Sequence, residues 1–282
     1  MHLPLILNLT LANLTQFITN FNGTHILEVN KFINELNNDY RGITNKLYET
    51  HYIFDELNLT TCNLINNNLG LTLYKPELDW RKENVVTPVK DQQNSGNHWS
   101  FSMVGVVESA LAIHTKKLES FSVQDIIDCS TKSNVNDYDY IRENGICTEL
   151  DVPYGIKKNT YCSNYCKNKV YISHCNTIPI GNQKLMMRYI QQQPLAAAIQ
   201  ADSLIFKFYK SGVITSESCG QNVNHGVLIV GYGTENGIDY WLVKNSWGSM
   251  WGLGGYVKIG RSMSRSEGGI CGIGKLVSYV SV

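Results

Sequence analysis

"NSGNHWSFSMVGVVESALA", residues Asn94 to Ala112, is the stretch on which the fold turns. It begins with small polar residues around a glycine, which favour a loop, and then becomes apolar. Val104, Val107, Ala110 and Leu111 recur at three- and four-residue spacing. That period predicts a helix over Trp99–His114 with this face against a core. His98 stands at the tip of the helix. The backbone N–H groups of a first turn lack intrahelical partners and carry the positive end of the helix dipole. The residue at the tip is therefore the first candidate for chemistry.

The surrounding composition narrows the function classes. With 282 residues and 43% hydrophobic content, the chain can bury one or two sizeable cores. Its 24 basic and 24 acidic residues balance, which argues against nucleic acid or an anionic membrane as partner. No apolar run reaches the roughly 18 residues needed to span a bilayer. The opening "MHLPLILNLTLANLT" is apolar but has no basic n-region, and it fits a weak signal peptide and an amphipathic segment equally. Eight cysteines without a CxxC pair point to disulfides and an oxidising compartment. N-x-S/T triplets at Asn8, Asn13, Asn22 and Asn58 point the same way.

The chain changes character near residue 75. Before it the sequence is Asn-rich and helix-compatible, with Leu27, Phe32, Leu36 and Tyr40 at loose helical spacing. After it come Gly- and aromatic-rich sequence and β-like runs such as "GVLIVGYG" (226–233) and "DYWLVKN" (239–245). "VNHGVLIVGYG" sets His225 at the mouth of a hydrophobic strand, and "VKNSWGSMWG" offers Asn245 beside Trp247 and Trp251. An imidazole oriented by an amide and shielded by indole is a sound general base. Taken singly, the bland reading is preferable, since a lone His on a strand is core or rim far more often than a base. Taken together with position 98, the separations are specific: His98 lies 127 residues before His225 and 147 before Asn245.

From Pro76 to Val282 the chain resembles the papain and cathepsin family of cysteine proteases. "ELDWRKENVVTPVKDQ" resembles the start of the mature enzyme, "HWSFSMVGVVESALA" the nucleophile-bearing helix, and "FSVQDIIDCS" the segment after it. "VNHGVLIVGYG" and "VKNSWGSMWGLGGYVKIGR" resemble the base and asparagine blocks. The resemblance implies an α+β, two-lobed fold with a helical lobe over about 86–178 and a β-barrel-like lobe over about 179–282. Residues 31–60 faintly resemble the family's helical inhibitory propeptide, so 1–75 is read as a propeptide-like extension and 76–282 as the peptidase-like domain.

Carried over by position, Gln92 falls on the oxyanion-hole glutamine, His225 on the base, Asn245 on its orienting partner and Trp247 on the covering indole. Trp99 follows the nucleophile position. That position, a cysteine in the family, is His98. Ser95 replaces a cysteine that the family uses in a disulfide. The partner of that cysteine lies in a Gly-Cys-x-Gly-Gly loop forming one groove wall, and here "CSTKSNVNDYDYIRENG" (129–145) is shorter and lacks both the cysteine and the glycines. Three linked losses at one cleft argue for relaxed selection on peptide cleavage.

The chemistry agrees. The family mechanism requires a thiolate held by a helix N-terminus and an imidazolium. At position 98 an imidazole would have its cation disfavoured by the helix dipole and by His225. Acyl-imidazoles are labile, and amides react poorly with imidazole. Ser95, Ser100 and Ser102 are read as structural. Two facing histidines could bind zinc or copper only with a third ligand, and none is evident, so no metal or cofactor is implied. By resemblance Cys129 pairs with Cys162 and Cys219 with Cys271. Cys175 would bond Cys147 or Cys166, with Cys62 left over or joining that set.

The expected function is therefore a papain-like homologue that acts by binding peptides, proteins or protease inhibitors in its cleft. It is read as a monomer in a secreted or lysosome/vacuole-like setting. The competing class is an active endopeptidase, or a hydrolase with altered chemistry.

Overall fold

The computed structural model describes residues 61–65, 74–130, 136–155, 162, 166, 168–261 and 268–282. The chain divides into two units, Met1–Ile53 and Phe54–Val282, and all described residues belong to the second. The helical extension expected over 1–75 therefore lies outside the described residues, apart from 61–65 and 74–75.

The helix expected over Trp99–His114 spans His98–Thr115 (α1). It is buried far beyond the single predicted face: Phe101, Met103, Val104, Val106, Val107 and Ala110 are all core residues. A helix buried on every side can sit only inside a molecule, between two layers. Lys116 ends it in the left-handed conformation, with its N–H bonded to the Ala112 carbonyl at 2.9 Å. Two shorter helices follow, α2 (Val123–Cys129) and α3 (Asp137–Asn144). Ser122 caps α2 and Asn136 caps α3, each side chain accepting a backbone N–H that the helix leaves unpaired.

Strands make up the other lobe. Two short ones, β1 (Asn63–Leu64) and β2 (Leu78–Asp79), precede α1. After the helices come β3 (His174–Ile178), α4 (Gln183–Ile190), β4 (Leu195–Ile199), α5 (Leu204–Lys207) and β5 (Val213–Ile214). The lobe is completed by β6 (His225–Glu235), β7 (Ile238–Lys244), β8 (Tyr256–Gly260) and β9 (Val277–Ser281). The "GVLIVGYG" and "DYWLVKN" runs thus form the central hairpin, β6 and β7, closed by Asn236-Gly237 with both residues at positive φ.

The sheet order is β1-β3-β9-β4-β6-β7-β8-β5, with β2 added to β6. Where a barrel-like lobe was expected, the sheet is open. Its two ends are short strands paired in parallel, β1 on β3 and β5 on β8, and neither meets the other. At Gly231, where the β6–β7 register shifts, a Cβ would overlap the Leu78 carbonyl, so glycine is what admits β2.

α1 packs against β6, and polar groups are buried along this seam. Glu108 of α1 accepts from Thr87 Oγ1 (2.6 Å), Lys90 Nζ (2.9 Å) and the Phe121 N–H (2.9 Å). Lys244, at the end of β7, donates to the Thr87 carbonyl at 2.7 Å. Burial alone would raise the Glu108 carboxyl, but the two lysines hold it below its usual value.

Three disulfides are present: Cys62–Cys175, Cys147–Cys166 and Cys219–Cys271. The last is as expected. The expected Cys129–Cys162 bond is not formed, and both are thiols. Cys129 is buried in hydrogen-bond contact with Cys162 and the Tyr140 hydroxyl, while Cys162 donates to the Asp128 carbonyl at 3.6 Å. These contacts occupy the two sulfurs in place of a covalent bond.

Candidate active site

The seam between α1 and β6 brings the predicted residues together. His98 is the first residue of α1, half-buried at the cleft. His225 is the first residue of β6 and only 3% exposed. Their ring centroids lie 5.1 Å apart, inclined by 54°. This approach depends on Gly226, where a Cβ would stand 2.9 Å from both the His98 carbonyl oxygen and the Trp99 ring.

The protons on both rings follow from their partners. Asn245 Oδ1 lies 2.7 Å from His225 Nε2 and can only accept, so His225 carries its proton on Nε2 and leaves Nδ1 bare. The Gly226 N–H donates to His98 Nδ1 at 3.2 Å. A neutral His98 therefore carries its proton on Nε2, and its single ring lone pair is already engaged. Burial pushes the His225 pKa down to about 4, against which the Asn245 bond acts weakly. His98 lies well below its usual value, first through burial and then through the adjoining His225. At neutral pH both rings are uncharged.

Indole and phenyl rings close the far side. Trp247 stands 5.0 Å from His225, Phe206 of α5 packs on Trp247 at 5.4 Å, and Trp251 on Trp247 at 5.3 Å. Trp99 packs edge-on against His98 at 5.1 Å. Trp247 thus stands against the His225 ring.

Gln92 is buried and held from both sides. Its N–H donates to the Ser246 carbonyl (2.8 Å), and its Oε1 accepts from Ser246 Oγ (2.6 Å). Its Nε2 gives one proton to the Ser95 carbonyl at 2.9 Å. The amide has a second proton to offer. Ser246 also donates its N–H to Asn245 Oδ1 (2.8 Å), so a single loop fixes both the amide that orients His225 and the amide of Gln92.

Ser246 was not singled out in the sequence, nor was Tyr154. The Tyr154 hydroxyl bonds Ser95 Oγ (2.7 Å) and the Gln92 carbonyl (3.0 Å), and its ring meets Phe101 edge-on at 5.0 Å. Both residues act through loop geometry that no local pattern encodes. A tyrosine following proline in "DVPYG" was the one available cue. The remaining serines are engaged: Ser100 Oγ donates to Asp137 Oδ2 (2.8 Å) and Ser102 Oγ to the Val227 carbonyl (2.6 Å). Among the described residues, the grouping with metal-ligand spacing is Asp125 with Cys147 and Cys166, whose sulfurs are joined to each other. No helix among the described residues is long and apolar enough to cross a membrane.

The comparisons with known proteins agree with this geometry. The description "Papain family cysteine protease" matches residues 74–281. The KDEL-tailed cysteine endopeptidase CEP2 of Arabidopsis thaliana is 38% identical over 272 residues, covering 92% of this chain and 74% of its own. The Amb a 11 cysteine protease of ragweed pollen, solved in its proform, superposes with a TM-score of 0.71 at 34% identity, over 76% of this chain and 68% of that one. The Carica candamarcensis protease CMS1MS2, solved with E-64, gives 0.68 at 31% identity, over 73% and 98%. The fold is α+β, papain-like and two-lobed, and the three disulfides accord with a secreted or vacuole- and lysosome-type setting. The chain belongs to the papain family of cysteine proteases.

Proposed function

We propose that this papain-family chain binds in its cleft without cleaving, His98 standing in the nucleophile position and His225, Asn245 and Gln92 in the base, orienting and oxyanion positions. One observation carries this reading: the His98 Nδ1 lone pair accepts the Gly226 N–H, and the opposite nitrogen carries the proton. An attacking group needs a free lone pair, and this ring offers a hydrogen-bond donor instead. The family reaction needs a thiolate beside an imidazolium. Here two neutral imidazoles meet, and neither ionises at neutral pH.

The same groups suit binding. His98 Nε2–H and the second Gln92 amide proton are donors for a peptide carbonyl, and Trp247 with Trp251 supplies an apolar flank. Peptides, protein segments and protease inhibitors that fit such clefts are the proposed occupants. Residues 1–75 are proposed as the propeptide-like part and 76–282 as the cleft-bearing part, acting as a monomer.

The test pairs the natural protein with His98→Cys, using a thiol-directed epoxide probe and a fluorogenic dipeptidyl substrate. The natural protein is expected to bind an unreactive peptide aldehyde analogue without labelling or turnover. Thiol-sensitive turnover by the natural protein overturns the proposal. Labelling gained by His98→Cys shows that the frame lacked only its nucleophile.

A further inference from the structure

The segment ahead of the family-matched region is tied to the domain in three ways. Cys62, on its N-terminal side, forms a disulfide with Cys175 of β3. β1 pairs in parallel with β3, setting Asn63 opposite Asn176 and Leu64 opposite Thr177, and the Ile65 N–H reaches the Thr177 carbonyl at 3.3 Å. Asn136, which caps α3, donates to Thr61 Oγ1 at 2.8 Å. The family match begins at residue 74, so the tether sits on the extension side of that boundary.

We propose that this extension is a permanent, covalently clipped part of the molecule, and that its release takes two independent reactions. One is hydrolysis of a peptide bond between Cys62 and the domain, water adding to give a new carboxylate and a new amine. The other is reduction of Cys62–Cys175 by an external thiol pair, which takes up the disulfide form while two electrons and two protons pass to the cysteines. Hydrolysis alone leaves a two-chain molecule in which the cut segment stays at high effective concentration beside its binding edge. Reduction alone leaves the peptide chain continuous. Both sulfurs belong to buried residues, Cys62 at 8% and Cys175 at 3% exposure, so a reductant reaches them slowly.

The tether also covers a sheet edge. β3 lies next to the end of the sheet order, and β1 gives its outer face a partner where an open edge would invite another chain. This inference is independent of whether the cleft hydrolyses peptides.

The test is a recognition site for a sequence-specific protease inserted between Ile65 and Tyr74 of the full chain. After cleavage, free thiols are alkylated and the protein is denatured without reductant for intact-mass measurement. One species is expected, heavier by one water than the uncut chain treated in the same way, resolving into two after dithiothreitol. Two species before reductant overturn the proposal. Cys175→Ser should release the piece without reductant, and retention in that variant overturns the assigned pairing. Should that variant not fold, a non-reduced peptide digest of the natural chain decides: a cross-linked Cys62–Cys175 peptide supports the proposal and any other partner for Cys62 refutes it.

Discussion

Acid should weaken this fold through its two histidines, in a pH range where most carboxylates are still silent. His225 touches Asn245, Trp247, Phe206 and His98, and no carboxylate is among these contacts. Its pKa is about 4 in the folded chain against 6.5 when free. Between those values the unfolded chain holds a proton that the folded chain refuses. Stability is therefore complete above pH 6.5 and is lost as pH falls, until no further change comes below about 4. At 1.36 kcal/mol per factor of ten the whole span is roughly 3 kcal/mol, of which about 2 kcal/mol is gone by pH 5. His98 adds a loss of the same sign. Glu108 and Asp79, whose pKa values are lowered, lose their contribution only below the ordinary carboxylate range, and the raised Asp125 acts in the opposite sense. Urea unfolding followed by tryptophan fluorescence at pH 7, 6 and 5 is the assay, and the midpoint should drop by roughly 1 M at a slope near 2 kcal/mol/M. The double variant His98→Ser/His225→Gln should flatten that dependence. A wild-type midpoint unchanged between pH 7 and 5, or a double variant falling in parallel with it, refutes the reasoning.

Three other outcomes are expected. Glu108→Ala leaves Lys90 and Lys244 without their buried counter-charge, and should cost about 3–5 kcal/mol in urea unfolding. Thiol titration should find two free groups per chain in denaturant. In the native protein at pH 8, Cys129 should resist iodoacetamide, because burial and the Cys162 contact push its pKa up to about 12. Tyr154→Phe removes the hydroxyl that joins Ser95 to the Gln92 segment, and should lower stability by about 1–2 kcal/mol by thermal unfolding while leaving the far-UV spectrum unchanged.

Local periodicity revealed the parts of the fold that local periodicity controls. The helix expected over Trp99–His114 and the β-like runs that became β6 and β7 were visible because apolar spacing reports burial directly. The His225–Asn245–Trp247 arrangement was visible because its members flank those same elements. The Cys62–Cys175 bond was not, since its partners are 113 residues apart and neither carries a local signal. Nor was the all-round burial of α1, because Ser100, Ser102, Ser109 and Glu108 interrupt its apolar pattern. Each of these polar residues except Ser109 is paired inside, Ser102 with the Val227 carbonyl and Glu108 with Lys90, Thr87 and the Phe121 N–H among others. Pattern registers polarity and is blind to the partner that makes a buried polar group tolerable.

That distinction also bears on the proposed binding role. Where Ser95 stands in place of a cysteine, the Tyr154 hydroxyl takes hold of the serine oxygen. Asp137 at the start of α3 grips Ser100 of α1 and Ser130 beyond α2, one carboxylate oxygen each. At His98 the Gly226 N–H occupies the Nδ1 lone pair. At Ser95 and His98 the side chain thus makes a hydrogen bond of its own. Loss of peptide cleavage alone does not require such repair, because a decaying cleft could fill with whatever packs. Gln92, His225 and Asn245 each keep a hydrogen-bond partner around two neutral imidazoles, and that order supports the proposed binding role.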